Sequence, residues 1–267
     1  MDPSALTTIR YEAADGVATI TLDRVASHNA FTTAMCDEMA ATWAHVRDDD
    51  SVRAIVVTAA GEKAFCTGID RSEVPADGGV AYTFDPLTYR DPGARLGPRS
   101  NECWKPVIAA VNGMACGGAF YLLGEADILI AADHATFFDP HVTYGMPAVF
   151  EPALMLHRMP FGEVMRMTLM GNHERISAAR ALEIGLVTEV VPMAALAAAA
   201  GWAAMAAATR CATSGRSAGE TTSVTRPISS ARAALIRSWL PSSVMRRTSP
   251  KGIFCSISAG SKTAGIP

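Results

Sequence analysis

Two short glycine turns are the segments of this chain best suited to chemistry. In Thr67-Gly68-Ile69-Asp70 a glycine follows a strand-like run, and in Ala115-Cys116-Gly117-Gly118-Ala119 two glycines precede the expected start of a helix. Glycine lets a backbone turn where other residues are sterically refused. Amides at a helix start have no intrahelical partner and feel the positive end of the helix dipole. Two such amides aimed at one point would form an oxyanion hole, suited to a carbonyl that becomes an enolate or a tetrahedral oxyanion. Each segment taken alone is also what a simple strand-to-helix turn looks like, because glycine is common in turns. Neither matches G-x-G-x-x-G or the Walker A pattern, which argues against dinucleotide or ATP binding.

These turns need rigid elements on either side. Val17 to Leu22 alternates like a half-buried strand, with the turn signal Asp15-Gly16 before it. Thr32 to Asp48 reads as a helix that Thr32 or Thr33 can cap, with Met35, Met39, Trp43 and Val46 at helical spacing. Arg53 to Thr58 and Pro106 to Val111 read as buried strands, and Asn112-Gly113 as a turn. Ile128 to Ala131 and Thr136 to Phe138 read as short strands. Pro152 marks a helix over about 151–158. Ser177 to Gly185 reads as a helix with a glycine stop, followed by a strand over Leu186 to Val191. Residues 193–208 form an alanine-rich helix. Residues 73–100, rich in Pro, Gly and Asp, read as a long loop of the kind that lines substrate sites. Strands and helices alternate through the first 190 residues, which predicts an α/β core. Periodicity does not say which α/β fold it is.

Composition narrows the classes of function. The net charge is −3 over 267 residues, against a general nucleic-acid binder. Six scattered cysteines contain no C-x-x-C and no metal spacing with histidine, so they read as reduced, mostly buried thiols of a cytosolic protein. The uncharged run Val107 to Gly124 has the length of a membrane span, but it holds Asn112 and four glycines and reads as a strand, a turn and a helix start. Charge is uneven. Residues 1–208 hold 14 basic and 25 acidic residues, whereas 209–267 hold nine basic residues and the single acid Glu220. The last stretch is also rich in Ser, Thr, Arg and Pro. Such a shift marks a different module or a chain not selected to fold.

The sequence resembles the crotonase (enoyl-CoA hydratase/isomerase) superfamily. Lys63-Ala-Phe-Cys-Thr-Gly-Ile-Asp70 is similar to the family's AFCAGAD segment. Lys105-Pro-Val-Ile-Ala-Ala-Val-Asn-Gly113 with Ala115-Cys-Gly-Gly118 is similar to KPVIAAVNG-x-A-x-GGG. Leu22-Asp-Arg24 through Asn29-Ala30, Asp127 to Ala132, and Ser177 to Val187 resemble three further family segments, all in family order across about residues 9–192. The resemblance implies a spiral of repeated ββα units over a core of residues 1–192, followed by a C-terminal segment, 193–267. It implies an acyl-CoA thioester substrate, with coenzyme A as part of that substrate and no other cofactor or metal. It implies a homotrimer or a dimer of trimers if the C-terminus folds; the cysteines, the net charge and the 107–124 run read above imply a cytoplasmic setting with no nucleic-acid or membrane partner. Carried over residue by residue, the oxyanion amides are those of Ile69 and Gly118. Ile69, Asp70, Arg71 and Ser72 lie along the pantetheine arm with Thr67 beside it, and Arg24 and Ala30 lie near the nucleotide end.

The departures from the family are as informative. The hydratases add water with two glutamates, and the matching positions here are Tyr121 and His141; the third glycine of the turn is Ala119. His141 is a sensible general acid or base, because an imidazole titrates near neutral pH. It equally fits a polar residue bonded to backbone. Tyr121 has a phenol able to donate, but aromatics on a helix more often pack inward. Asp139, before Pro140, reads as a turn residue. Glu151 lies near where some relatives place an acidic catalytic residue, yet an acid there also suits a helix start, as does Glu163. The family's default is hydratase-like lyase chemistry. Double-bond isomerisation with a single base and non-catalytic acyl-CoA binding are the alternatives. The C-terminal helical region is atypical, and the composition change after about residue 208 is what a shifted reading frame or another divergence would leave.

Overall fold

The computed structural model of the protein describes residues 3–73, 92–148 and 150–214. Near its start, Asp15 and Gly16 join β1 (Ile9–Ala14) to β2 (Val17–Leu22) in an antiparallel hairpin with Ala14 opposite Val17. Both turn residues have positive φ, 54° and 84°, as the tight hairpin turns that match strand twist require. Beside β2 run, all parallel, β3 (Ala54–Ala59), β5 (Val107–Val111), β7 (Ile128–Ala132) and β10 (Glu189–Val191), giving a six-stranded sheet in the order β1-β2-β3-β5-β7-β10. A second sheet holds β4 (Ala64–Cys66), β6 (Met114–Cys116), β8 (Thr136–Phe138) and β9 (Ile176–Ser177) in that order.

The two sheets are wound from the same repeating step. β3 passes into β4, β5 into β6 and β7 into β8, each pair stepping from the large sheet to the small one. The helix α2 (Ala119–Glu125) follows the second pair. This is the spiral of repeated ββα units that the resemblance implies. The uncharged run 107–124 is thereby divided into β5, β6 and the start of α2. Among the described residues no helix is long and apolar enough to cross a membrane.

β5 is buried at all five positions because it is covered on both faces, which is why its sequence is a continuous apolar run. On one face, Val107, Ala109 and Val111 join the core built with α1 (Thr33–Asp48), where Met35, Met39, Trp43 and Val46 are fully buried. Thr32 caps α1 by accepting a hydrogen bond from the Met35 N–H. On the other face, Ile108 and Ala110 meet Leu196, Ala200, Ala204 and Ala208, one per turn along α6 (Met193–Ser214).

Five elements differ from expectation. The helix at Pro152 is α3 (Phe150–Met155), shorter than the 151–158 reading. The strand after Gly185 is only Glu189–Val191, because the Val187 N–H returns to the Ala181 carbonyl and so still belongs to the end of α5 (Ala178–Glu183). β6 and β9 were not foreseen. Neither was the extent of α4 (Phe161–Met170), although Glu163 does sit in its first turn. Most of the long loop (74–91) and the tail from 215, where the reading-frame expectation falls, lie outside the described residues.

Candidate active site

The two glycine turns leave neighbouring strands. β4 and β6 pair in parallel, with Cys66 opposite Ala115, so the segments that follow emerge side by side. Gly68 has φ +83°, and a Cβ there would lie 3.0 Å from the Gly118 nitrogen and 3.3 Å from the Cys116 carbonyl oxygen. A Cβ on Gly118 would lie 2.4 Å from Phe31 Cε1. Only glycine fits at either place. Phe31 also fixes the first turn: its N–H donates to the Gly68 carbonyl at 2.8 Å, and the Asp70 N–H donates to the Phe31 carbonyl at 2.8 Å. Successive amides of extended backbone point to opposite sides, so the Ile69 N–H faces away from Phe31. Among the described residues, neither the Ile69 nor the Gly118 N–H has a hydrogen-bond acceptor.

His141 lies at the same place from a third strand. β8 pairs with β6, Cys116 opposite Phe138, and Asp139-Pro140 then carries the chain into a 3-10 turn over His141–Tyr144. A Cβ built on Gly117 would meet the Pro140 ring at 3.4 Å and His141 Cε1 at 3.8 Å, so the imidazole edge lies against the second glycine turn. His141 Nδ1 is 2.5 Å from Asp139 Oδ1, and Nε2 is 3.5 Å from Glu151 Oε1. Asp139 is fully buried, and the Glu151 side chain is only 6% exposed. Asp139 is thus more than the turn residue that its place before Pro140 indicates. Asp-Pro-His is a recognisable sequence signal, but it does not reveal that the carboxylate is buried.

The remaining candidates divide. Arg24 holds the segment around Ala30 to the first turn. One guanidinium nitrogen pairs with Asp70 Oδ2 at 2.9 Å and another donates to the Ala30 carbonyl at 2.5 Å. Asp70 Oδ1 accepts from the Ser72 N–H and hydroxyl, and Thr67 Oγ1 donates to the His28 carbonyl at 3.4 Å. Ser72 hydrogen bonds, and then Arg24, hold the Asp70 carboxyl below the usual range. Underneath, buried Asn29 accepts from the Arg24 N–H and donates to the Ala60 and Ala64 carbonyls. The Arg71 guanidinium stacks 4.4 Å above the Tyr144 ring, tying the first turn to the one that carries His141. Tyr121 packs partly buried on the core, its ring against Gly93, where a Cβ would lie 2.4 Å away.

Cys66 and Cys116 precede the two turns but do not offer nucleophiles. Both are buried, and burial pushes each thiol up to about 12. A cavity of about 300 Å³ elsewhere is lined by Glu163, Arg166, Glu174 and Arg180, whose charges pair among themselves, and by none of the residues above. The glycine turns and His141 are therefore the better candidate. The arrangement offers two amide donors and an imidazole between two buried carboxylates, which suits a carbonyl whose neighbouring carbon gains or loses a proton.

The chain is similar to known proteins. The family model described as enoyl-CoA hydratase/isomerase matches residues 12–231. The chain is 36% identical over 190 residues to an (E)-benzylidenesuccinyl-CoA hydratase of Thauera aromatica, covering 71% of this chain and 72% of that protein. It is 37% identical over 186 residues to a probable enoyl-CoA hydratase of Rhodobacter capsulatus, covering 69% of each. Among solved structures it resembles an enoyl-CoA hydratase/isomerase from Mycobacterium paratuberculosis, with TM-score 0.70 and 38% identity over 78% of this chain and 83% of that one.

Proposed function

The chain belongs to the enoyl-CoA hydratase/isomerase (crotonase) family, and from that premise we propose that it acts on the α and β carbons of an acyl-CoA thioester. The observation that carries the proposal is the contact of the Gly68 and Gly118 turns, with two amides that have no acceptor among the described residues and His141 beside them. In this reading the Ile69 and Gly118 N–H groups receive the thioester oxygen as it becomes an enolate. Such preorganised donors are worth several kcal/mol in a water-poor site, on the order of 3 for one donor. His141, with Glu151, moves the proton. Thr67 and the segment Ile69 to Ser72 run along the pantetheine arm. Arg24 is already engaged by Asp70 and Ala30, so its part is to shape the nucleotide end. A homotrimer or a dimer of trimers belongs to the same reading.

Hydration is the leading reaction, supported by relatives named as hydratases. Isomerisation is the second reading. What favours it is Tyr121, which stands at one glutamate position with its ring against Gly93 and leaves one acid–base centre, at His141.

The test is turnover of a short trans-2-enoyl-CoA by the purified chain, with His141→Ala alongside. Loss of turnover in the variant is the expected result. Unchanged turnover would remove His141 from the chemistry. A parent that hydrates nothing but shifts the double bond of a 3-enoyl-CoA would select the second reading.

A further inference from the structure

We propose that Asp139 is a positioning residue: it keeps a proton on Nδ1 of His141, so that Nε2 and Glu151 act as one dyad holding a single transferable proton. The proposal rests on the reading of His141 as the acid–base group of this site.

Asp139 Oδ1 faces both donors of one residue, the His141 N–H at 3.1 Å and Nδ1 at 2.5 Å. Oδ1 already accepts from the backbone N–H, and in the proposed arrangement it accepts from Nδ1–H as well, which places the proton between them on Nδ1. Oδ2 is buried and has no hydrogen-bond partner among the described residues. Burying a carboxylate with so little compensation is unfavourable, and each of its described hydrogen bonds ends on His141. A residue needed only for the turn would do as well at the surface, where water solvates its free oxygen. Pro140 between the two residues fixes the backbone and so the approach of acid to ring.

With Nδ1 protonated, Nε2 faces Glu151 Oε1 at 3.5 Å. A bare lone pair against a carboxylate oxygen repels, whereas one proton on either partner makes the contact attractive. The pair therefore carries one proton and one vacant basic site. That is sufficient for both reactions of the proposed function. In hydration a water gives one proton to the vacant site as its oxygen bonds to the β-carbon, and the stored proton passes to the α-carbon. In isomerisation the vacant site takes a proton from one carbon as the stored proton goes to another. The dyad ends each cycle with one proton, as it began.

The test is the ring ¹⁵N spectrum of histidine-labelled full-length protein, with His141→Ala to assign the signals. The expected parent spectrum shows Nδ1 protonated and Nε2 shared with Glu151. Asp139→Asn is expected to move the ring to the Nε2–H tautomer. It is also expected to lower kcat by roughly tenfold or more with KM within about twofold, the signature of a lost proton-transfer geometry. A parent ring with Nδ1 unprotonated overturns the proposal even if the variant fails to fold, and so does an Asp139→Asn protein whose ring and kcat are unchanged. If the parent turns over no enoyl-CoA, the functional reading falls while the parent spectrum still decides the role of Asp139.

Discussion

A Cβ placed on Gly68 would sit 3.0 Å from the backbone nitrogen of Gly118, so the two glycine turns touch through backbone alone. Backbone cannot yield as the end of a flexible side chain can. Gly68→Ala therefore combines a φ of +83°, which costs an L-residue about 1–2 kcal/mol, with displacement of the Gly118 amide. Turnover should fall by more than the loss of stability explains. The control is Gly61→Ala: φ is +80° there, but the nearest contact is the Val25 side chain at 3.2 Å. If both variants lose the same melting temperature and the same activity, the contact has no special role.

Asp70→Asn should weaken the protein in a pH-dependent way. The Asp70 carboxyl is held low by Ser72 and then Arg24. A group depressed in the folded state contributes stability that is fully present above its unfolded value, about 3.9, and is lost as pH falls through the lower folded value. The melting-temperature gap between parent and variant should be steady near neutrality and shrink below about pH 4. A gap that widens in acid would contradict the assignment.

Asn29→Ala should be costly for a residue so far from the proposed chemistry. Its side chain serves three backbone groups, those of Arg24, Ala60 and Ala64, at the corner where β3 turns into β4. Each buried group left unpaired costs about 1–3 kcal/mol. Asn29 also has φ 55°, a region that asparagine tolerates better than alanine. Chemical denaturation should show a loss of at least about 2 kcal/mol; a loss near zero would mean that water replaces the amide.

Cys66 and Cys116 should resist alkylation at pH 8 in the folded protein and react once it is denatured. Burial holds both thiols at about 12, leaving almost no thiolate. Site-resolved mass spectrometry reads the result. Rapid native labelling of either would show that the segment before its turn opens to solvent.

Ala204→Glu should test how α6 is held. Glutamate suits a helix nearly as well as alanine, so any loss reports the sheet beneath. Ala204 is fully buried within the cluster that includes Ile108 and Ala110, and an unpaired charge there is expected to prevent or severely weaken folding. Trp202→Glu, at a position 69% exposed on the same helix, should be nearly neutral in a thermal melt.

The sequence by itself determined four strands of the large sheet (β2, β3, β5 and β7), the capped helix α1, the two glycine turns and the family. These are local signals. A strand covered on both faces must be apolar throughout, Thr32 before an apolar 3.6-residue period marks a helix start, and a backbone at φ +83° asks for glycine. β9 escaped notice because two residues do not complete a period, and β6 because it lies between Asn112-Gly113 and Gly117-Gly118, a stretch that reads as a turn and a helix start. Only the tertiary structure decided that the turns touch, because their contact depends on the pairing of β4 with β6. Only it showed that Asp139 is buried and that His141 lies between two carboxylates. Solvent exclusion and the approach of Glu151 to His141 come from packing among elements distant in the chain, and no local pattern of residues encodes them.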